Sequence, residues 1–308
     1  MMQAAIAAAL VFTCAFGVIA PTVARRITPS AATWMLSIGG LFAALSGIGV
    51  VALLAVTIVG QSQEVAEYGH WSIAVFRRDD PVARPVALAA LVILALLCVR
   101  VSITMSRRTR ALRVAYRTCN DLHEHAGFVV LADADVDAYA LPGRPGRIVV
   151  TRGMLRVLSV DERRALLAHE RAHLRHRHHR HVTAAVMAAA VNPLLGRLPA
   201  AMAFSIERWA DEDAARTVPR STAARALARA AAAKPARTNR PVAGLAAASL
   251  AVSARITALQ ANPVRPRPLL LACAVLTALA AVVATIVAAD MTARLFAAAM
   301  SAPGPKTG

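Results

Sequence analysis

Six of the nine histidines in the chain fall between residues 169 and 181. The first two belong to His169-Glu170-Arg171-Ala172-His173, an H-E-x-x-H pattern. On a helix of about 3.6 residues per turn, residues four apart share a face, so both imidazoles can reach one cation. Glu170 is rotated by roughly 100° from His169 and stays close enough to touch a water at that cation. One rigid element thus offers two ligands and a base, the arrangement used for zinc-assisted hydrolysis.

A catalytic zinc needs a third protein ligand and an open position. Downstream, in "IERWADEDAAR", Glu207 and Asp211 are four apart on an expected second helix. Glu207 can complete a His2Glu set with His169 and His173. Asp211 can accept the other ring N–H of a ligand histidine and fix its tautomer. His176, seven residues after His169, shares its face and rivals Glu207 as a ligand, although a place at the edge of the site suits it better. His178, His179 and His181 read as surface residues. Two blander readings stand beside the enzymatic one. The imidazoles could form a solvated helix face, or a non-catalytic metal-binding tract that serves a metal-responsive sensor. The capped helix, the downstream Glu-x-x-x-Asp and the preceding strand favour catalysis.

The elements that would position these residues can be read from local signals. Ser159-x-x-Glu162 is a capping box, so a helix should begin near Val160. Before it, "GFVVLAD" (127–133) and "RIVV" (147–150) read as strands, joined through turn signals at Pro142, Gly143, Pro145 and Gly146. Residues 107–126 read as an amphipathic helix with Leu112, Tyr116, Cys119 and Leu122 along one stripe. Residues 183–206 are apolar apart from Arg197, but Pro193 and Pro199 interrupt them. A span there would put Glu207 across a membrane from His169, so two short helices are expected, packed on the domain or dipping into the membrane face. Residues 242–259 read as core or interface, and 231–241 as a loop. Arg216 reads as a surface or salt-bridge residue.

The remainder is unusually apolar: 57% of the 308 residues are hydrophobic. Uncharged runs at 4–24, 31–60 and 268–289, and an apolar run from 86 through Met105, are each long enough to cross about 30 Å of hydrocarbon. The first has no basic region before it, so it reads as a retained span and not a cleaved signal. The expected class is mainly α and membrane-bound: four transmembrane helices plus a small α+β zincin-like domain. Its parts are 1–105 with three spans, 106–267 as the domain, 268–289 as the fourth span and 290–308 as a short external tail. Formal net charge is +18. Arg25, Arg26, Arg100, Arg107, Arg108, Arg110, Arg265 and Arg267 flank the spans on one side, which the positive-inside rule makes cytoplasmic. That basic excess would meet anionic lipid. Direct nucleic-acid binding is not expected, since no aromatic interleaving or recognised motif accompanies the charge. A transporter would want ionisable ligands inside the spans, and none lies near a span centre.

The stretch from "AYALPG" through "GRIVVTRGMLRVLSVDERRALLAHERAHLRHRHH" to "ERWAD" resembles integral-membrane zinc metallopeptidases. Two groups fit: the beta-lactam-sensing antirepressor family, and the CAAX prenyl proteases with the heat-shock membrane proteases. The span order and the short interval from His173 to Glu207 look more like the first. The resemblance implies Zn2+ held by His169, His173 and Glu207, with Glu170 as general base and Asp211 as supporting carboxylate. It also implies that Ala138, Tyr139 and Ala140 form a strand to which an extended protein or peptide substrate adds. A transcriptional repressor, or a loop of the enzyme itself, would be the substrate, in a bacterial plasma membrane. One departure is plain: only Asp290–Gly308 follow the fourth span, so beta-lactam sensing through a domain there is not expected.

Overall fold

A computed structural model of the chain describes residues 1–80, 82–120, 124–125, 128–143, 145–234 and 242–301, with side chains described for all of these except 115–116, 118–120, 124–125 and 242–248. Most of the stripe expected of Tyr116, Cys119 and Leu122, residues 235–241 of the expected loop, and residues 302–308 of the tail fall outside that description.

Helices α1 (Met2–Ala24) and α2 (Pro29–Gly60) open the chain, α2 with proline at its first position, where the missing N–H is no loss. Short helices α3 (Gln63–Gly69) and α4 (Ile73–Asp79) follow, then α5 (Arg84–Asn120). Strands β1 (Glu124–His125), β2 (Phe128–Leu131), β3 (Ala138–Leu141) and β4 (Arg147–Thr151) come next. Then come α6 (Arg152–Val157), α7 (Val160–Arg175), α8 (His178–Val191), α9 (Leu198–Ala214), α10 (Arg220–Ala233), α11 (Val242–Gln260) and α12 (Pro268–Ser301). The protein is mainly helical with one small sheet, and α1, α2, α5 and α12 are long and apolar enough to cross a membrane. Two of the expected spans are the inner parts of longer helices. The third continues without a break to Asn120, and the fourth runs past Ala289 to Ser301, so the first part of the expected tail is helical. The far end of α12 is occupied: Ser72 N–H donates to Ala299 O at 3.0 Å, and Phe296 packs against Trp71 and Phe76.

Small residues let the membrane helices approach closely. Ala20, Gly39, Ala43, Ala274 and Ala278 are buried between α1, α2 and α12, and a Cβ on Gly39 would stand 2.6 Å from the Phe16 ring. The same core takes in Ala185 and Ala188 of α8 and Leu198, Met202 and Ile206 of α9. Asn192, Pro193 and Pro199 break the apolar run as expected. A 3-10 turn at Pro193–Leu195 separates α8 from α9, and both helices pack on the membrane bundle. The tip of this hairpin reaches well along α1 and α2. A Cβ on Gly17 would meet Leu194 O at 2.4 Å, and one on Gly47 would meet Asn192 Nδ2 at 2.1 Å.

The sheet has the order β1-β2-β4-β3, with β2 and β4 parallel and the other pairs antiparallel. Leu141, Val129 and Val149 form one face of its core, and Ile148 and Val150 join Met154 and Leu158 on the other. β3 is an edge strand, and α7 packs beside it. Thr151 ends β4 and caps α6, its hydroxyl accepting from Met154 N–H at 3.2 Å. The capping box at the start of α7 is formed: Ser159 N–H donates to Glu162 Oε2 at 2.9 Å, and Glu162 N–H to Ser159 Oγ at 3.4 Å. Buried Glu162 also accepts from Arg229 of α10 at 2.9 Å, which ties the two helices together.

The histidine tract is not one helix. α7 ends at Arg175, Arg177 takes a left-handed conformation (φ 52°), and α8 starts at His178. This break corrects the reading of His178 and His181 as surface residues. Both are buried, because the turn directs them inward, and His181 Nδ1 lies 2.7 Å from Ser37 Oγ on α2.

Candidate metal centre

His169 and His173 are one turn apart on α7, and Glu207 approaches from α9 just after Ile206, which is fixed in the core shared with α1, α2 and α12. His169 Nε2 lies 3.1 Å from His173 Nε2 and 3.5 Å from Glu207 Oε2, and His173 Nε2 lies 3.6 Å from Glu207 Oε1. Atoms bound about 2.0–2.1 Å from a tetrahedral zinc stand roughly 3.3–3.4 Å from one another. The three observed separations bracket that value, and both the donor types and the spacing suit zinc. Among the described residues this is the group of three or more such side chains close enough to hold a metal ion.

Behind the trio, Asp211 Oδ1 lies 3.0 Å from His169 Nδ1. It accepts that ring N–H, so in the neutral imidazole the Nε2 lone pair faces Glu207 and His173. Asp211 also takes a two-pronged bond from Arg255 of α11, Nε and Nη2 each at 2.7 Å, while Arg255 Nη1 reaches Glu207 Oε2 at 2.9 Å. The sequence had suggested core or interface for 242–259, not a site, so Arg255 corrects that reading. A signal for it existed: Arg255 is the one charged residue of α11, and a buried Asp211 with a half-buried Glu207 four residues before it needs a cation.

The electrostatics follow from this crowding. Burial alone would lower His169, but the hydrogen bonds to Asp211 and Glu207 prevail and raise it to about 10 in the metal-free site. Burial and the neighbouring His169 charge push His173 down to about 4. Glu207 is half-buried, and although desolvation would raise its pKa, His169, Arg255 and His173 hold it far below the usual carboxylate range. Glu170 behaves oppositely. Burial raises its pKa, and it makes no hydrogen bond to another described side chain, so its carboxylate is free to exchange a proton.

The remaining candidates sort by geometry. His176 is not in the trio. Its Nε2 is 2.7 Å from Asp213 Oδ2 and its ring stacks on Trp209 at 4.2 Å. Asp213 also pairs with Arg175 and, at 2.7 Å, with Arg216, so Arg216 is a salt-bridge residue as expected. His179 lines the cleft mouth with Val182. Burial pushes His178 down to about 3, with His173, His176 and His181 adding to the effect. Ala138, Tyr139 and Ala140 on edge strand β3 line a cavity of about 490 Å³, together with His169, Glu170, His173 and Glu207. Lys234 and Asp137 pair at 2.9 Å, and both charges act on Glu170.

Residues 104–262 match the model of a family described as Peptidase family M48. A stretch of 52 residues is 48% identical to a protein named protease HtpX homolog from Thermoplasma acidophilum, and covers 16% of each chain. No solved structure gives a significant match.

Proposed function

The chain belongs to peptidase family M48, and from that premise we propose that it is a membrane-embedded zinc endopeptidase with its site built from His169, Glu170, His173 and Glu207. The observation that carries the reading is the convergence of two imidazoles and a carboxylate from two helices beside a buried glutamate and the last strand of the sheet order.

Zinc held by His169, His173 and Glu207 would supply Lewis acidity, polarising a scissile carbonyl and making a water easier to deprotonate. The other steps belong to the chain. Glu170 accepts a proton from the attacking water and returns it to the leaving amine, and its raised pKa suits both halves of that task. Asp211 keeps the His169 proton on Nδ1. Arg255 balances the charge of Asp211 and Glu207 and sets their spacing. The position of β3 at the end of the sheet order, with Ala138, Tyr139 and Ala140 along the cavity, suits an extended protein or peptide substrate added as a further strand.

The basic residues around the ends of α1, α2, α5 and α12 support a site on the cytoplasmic side of a bacterial plasma membrane, with lipid around the apolar outer faces. A regulatory role, in cleaving a repressor or a loop of the chain itself, rests on the order of spans, with the domain lying between the third and fourth as in the antirepressor resemblance. A metal-responsive sensor is the competing class, and Glu170 separates the two. The test uses the full chain in detergent, with bound zinc measured and cleavage of an unfolded protein followed. The reading requires that Glu170→Gln retain zinc and lose cleavage. Full cleavage by that variant would refute it, as would a native chain that binds no zinc.

A further inference from the structure

His169 has Asp211 behind it, and a second histidine of the trio needs the same service. Metal-binding imidazoles are oriented by a partner on the other ring nitrogen, and loss of that partner costs roughly 10–100-fold in metal affinity. Among the described residues no carboxylate bonds to Nδ1 of His173. What lies there is His178, whose Nδ1 is 2.9 Å from His173 Nδ1, the rings meeting edge-on at 84°.

The contact exists only because the helix breaks. In a continuous helix, residues five apart are rotated by about 140° and cannot face each other. Arg177 interrupts α7 and α8 with φ 52°, one of two non-glycine residues at positive φ among those described. That conformation is disfavoured for an L-residue, whose Cβ crowds the following carbonyl oxygen. Strain of this kind persists where the surroundings demand it, often at functional sites. His178 is also buried at 1% exposure among His173, His176 and Trp209, and its Nε2 finds no partner. A phenyl ring would fill the space without an orphaned polar atom. The fold therefore keeps a strained turn and an unsatisfied nitrogen, and among the described residues the side-chain hydrogen bond that His178 gains is with His173.

We propose that His178 is the positioning residue for His173, an imidazole doing for the second histidine what Asp211 does for the first. The proton assignment follows. His173 turns its Nε2 lone pair toward His169 and Glu207, so its proton is on Nδ1, and it donates to Nδ1 of His178. His178 is then the Nε2–H tautomer, and its own proton occupies the unpartnered position. This inference rests on the reading of His169, His173 and Glu207 as a zinc site.

The experiment uses the full chain in detergent and measures the zinc dissociation constant by competition with a chelating dye, alongside metal-free thermal midpoints. His178→Phe keeps a planar ring and removes the acceptor, so zinc should bind about 10–100-fold more weakly while the metal-free midpoint holds. His178→Asn offers Oδ1 close to the Nδ1 position and should stay within about threefold of the native affinity, a recovery that a packing role would not produce. In the native zinc-loaded chain, imidazole nitrogen shifts should show His178 protonated at Nε2 and not at Nδ1, and this readout needs no variant to fold. Native affinity in His178→Phe, equal loss in both variants, or the opposite tautomer would overturn the proposal and leave the zinc site standing. A native chain that binds no zinc would overturn both.

Discussion

Replacing Arg255 by Met tests the electrostatic frame of the site most directly. The Arg255 side chain is 12% exposed and its partner Asp211 only 7%, so this pair is shielded from solvent, whereas Glu207 at 34% is partly screened. Removing one partner of a buried ion pair costs about 3–5 kcal/mol, because a charge is left uncompensated. Screening of Glu207, and the proton shared with His169, place the metal-free chain near the low end, about 3 kcal/mol. For a domain of this size about 1 kcal/mol corresponds to roughly 2–4 °C, so the midpoint should fall by about 6–12 °C. Zinc changes the balance, since a cation held by Glu207 replaces part of the lost guanidinium charge. Zinc should therefore recover more than half of the shift, and by linkage the variant should bind zinc more tightly than the native chain. Arg255→Lys, which keeps the charge without the two-pronged geometry, should fall between the two. The assay is a thermal melt in detergent with chelator and with excess zinc. A metal-free midpoint within about 2 °C of native, or a deficit that zinc leaves unchanged, would refute the reasoning.

Glu170→Gln should bind zinc as the native chain does and lose at least about 100-fold in turnover, since proton transfer contributes on the order of 10²–10⁴; zinc content and peptide cleavage measure the two separately. Glu162 is buried, and although burial raises its pKa, the hydrogen bonds from Ser159 and the Arg229 charge prevail and hold it below its ordinary value. Its contribution is thus fully present above the unfolded carboxylate pKa of about 4.3 and is lost as pH falls through the lower folded value. Glu162→Gln should flatten that acid limb in melts run from about pH 6 to pH 3. Gly47→Ala places a Cβ 2.1 Å from Asn192 Nδ2, which should lower stability by about 1–3 kcal/mol. Adding Asn192→Ala should give a total smaller than the sum of the two single losses, because the residues share one contact.

Much of this arrangement is legible in short stretches of the chain. A capping box, a helical spacing of four and an uninterrupted apolar run are local properties, set by backbone geometry and by the cost of burying charge. Ser159 and Glu162 thus announce the start of α7, and His169, His173 and Glu170 announce its chemistry. The pairing of Pro193 and Pro199 with an apolar run announces a hairpin in place of a span. The resemblance to membrane metallopeptidases survives in its broader form, since residues 104–262 match family M48. The antirepressor branch rests on span order and on the short interval from His173 to Glu207.

The chain by itself determined the candidate ligand types, the number of apolar spans and the helix that carries the histidines, because each depends on neighbours within a turn or two. Only the tertiary structure decided that Arg255 balances Glu207 and Asp211, since 44 residues separate it from Asp211 and nothing local aims it there. It also decided the fate of His178, because a single left-handed residue at 177 breaks the helix and brings His178 against His173. Long-range charge compensation and the effect of one backbone angle are properties of the packed chain, and no spacing pattern encodes them.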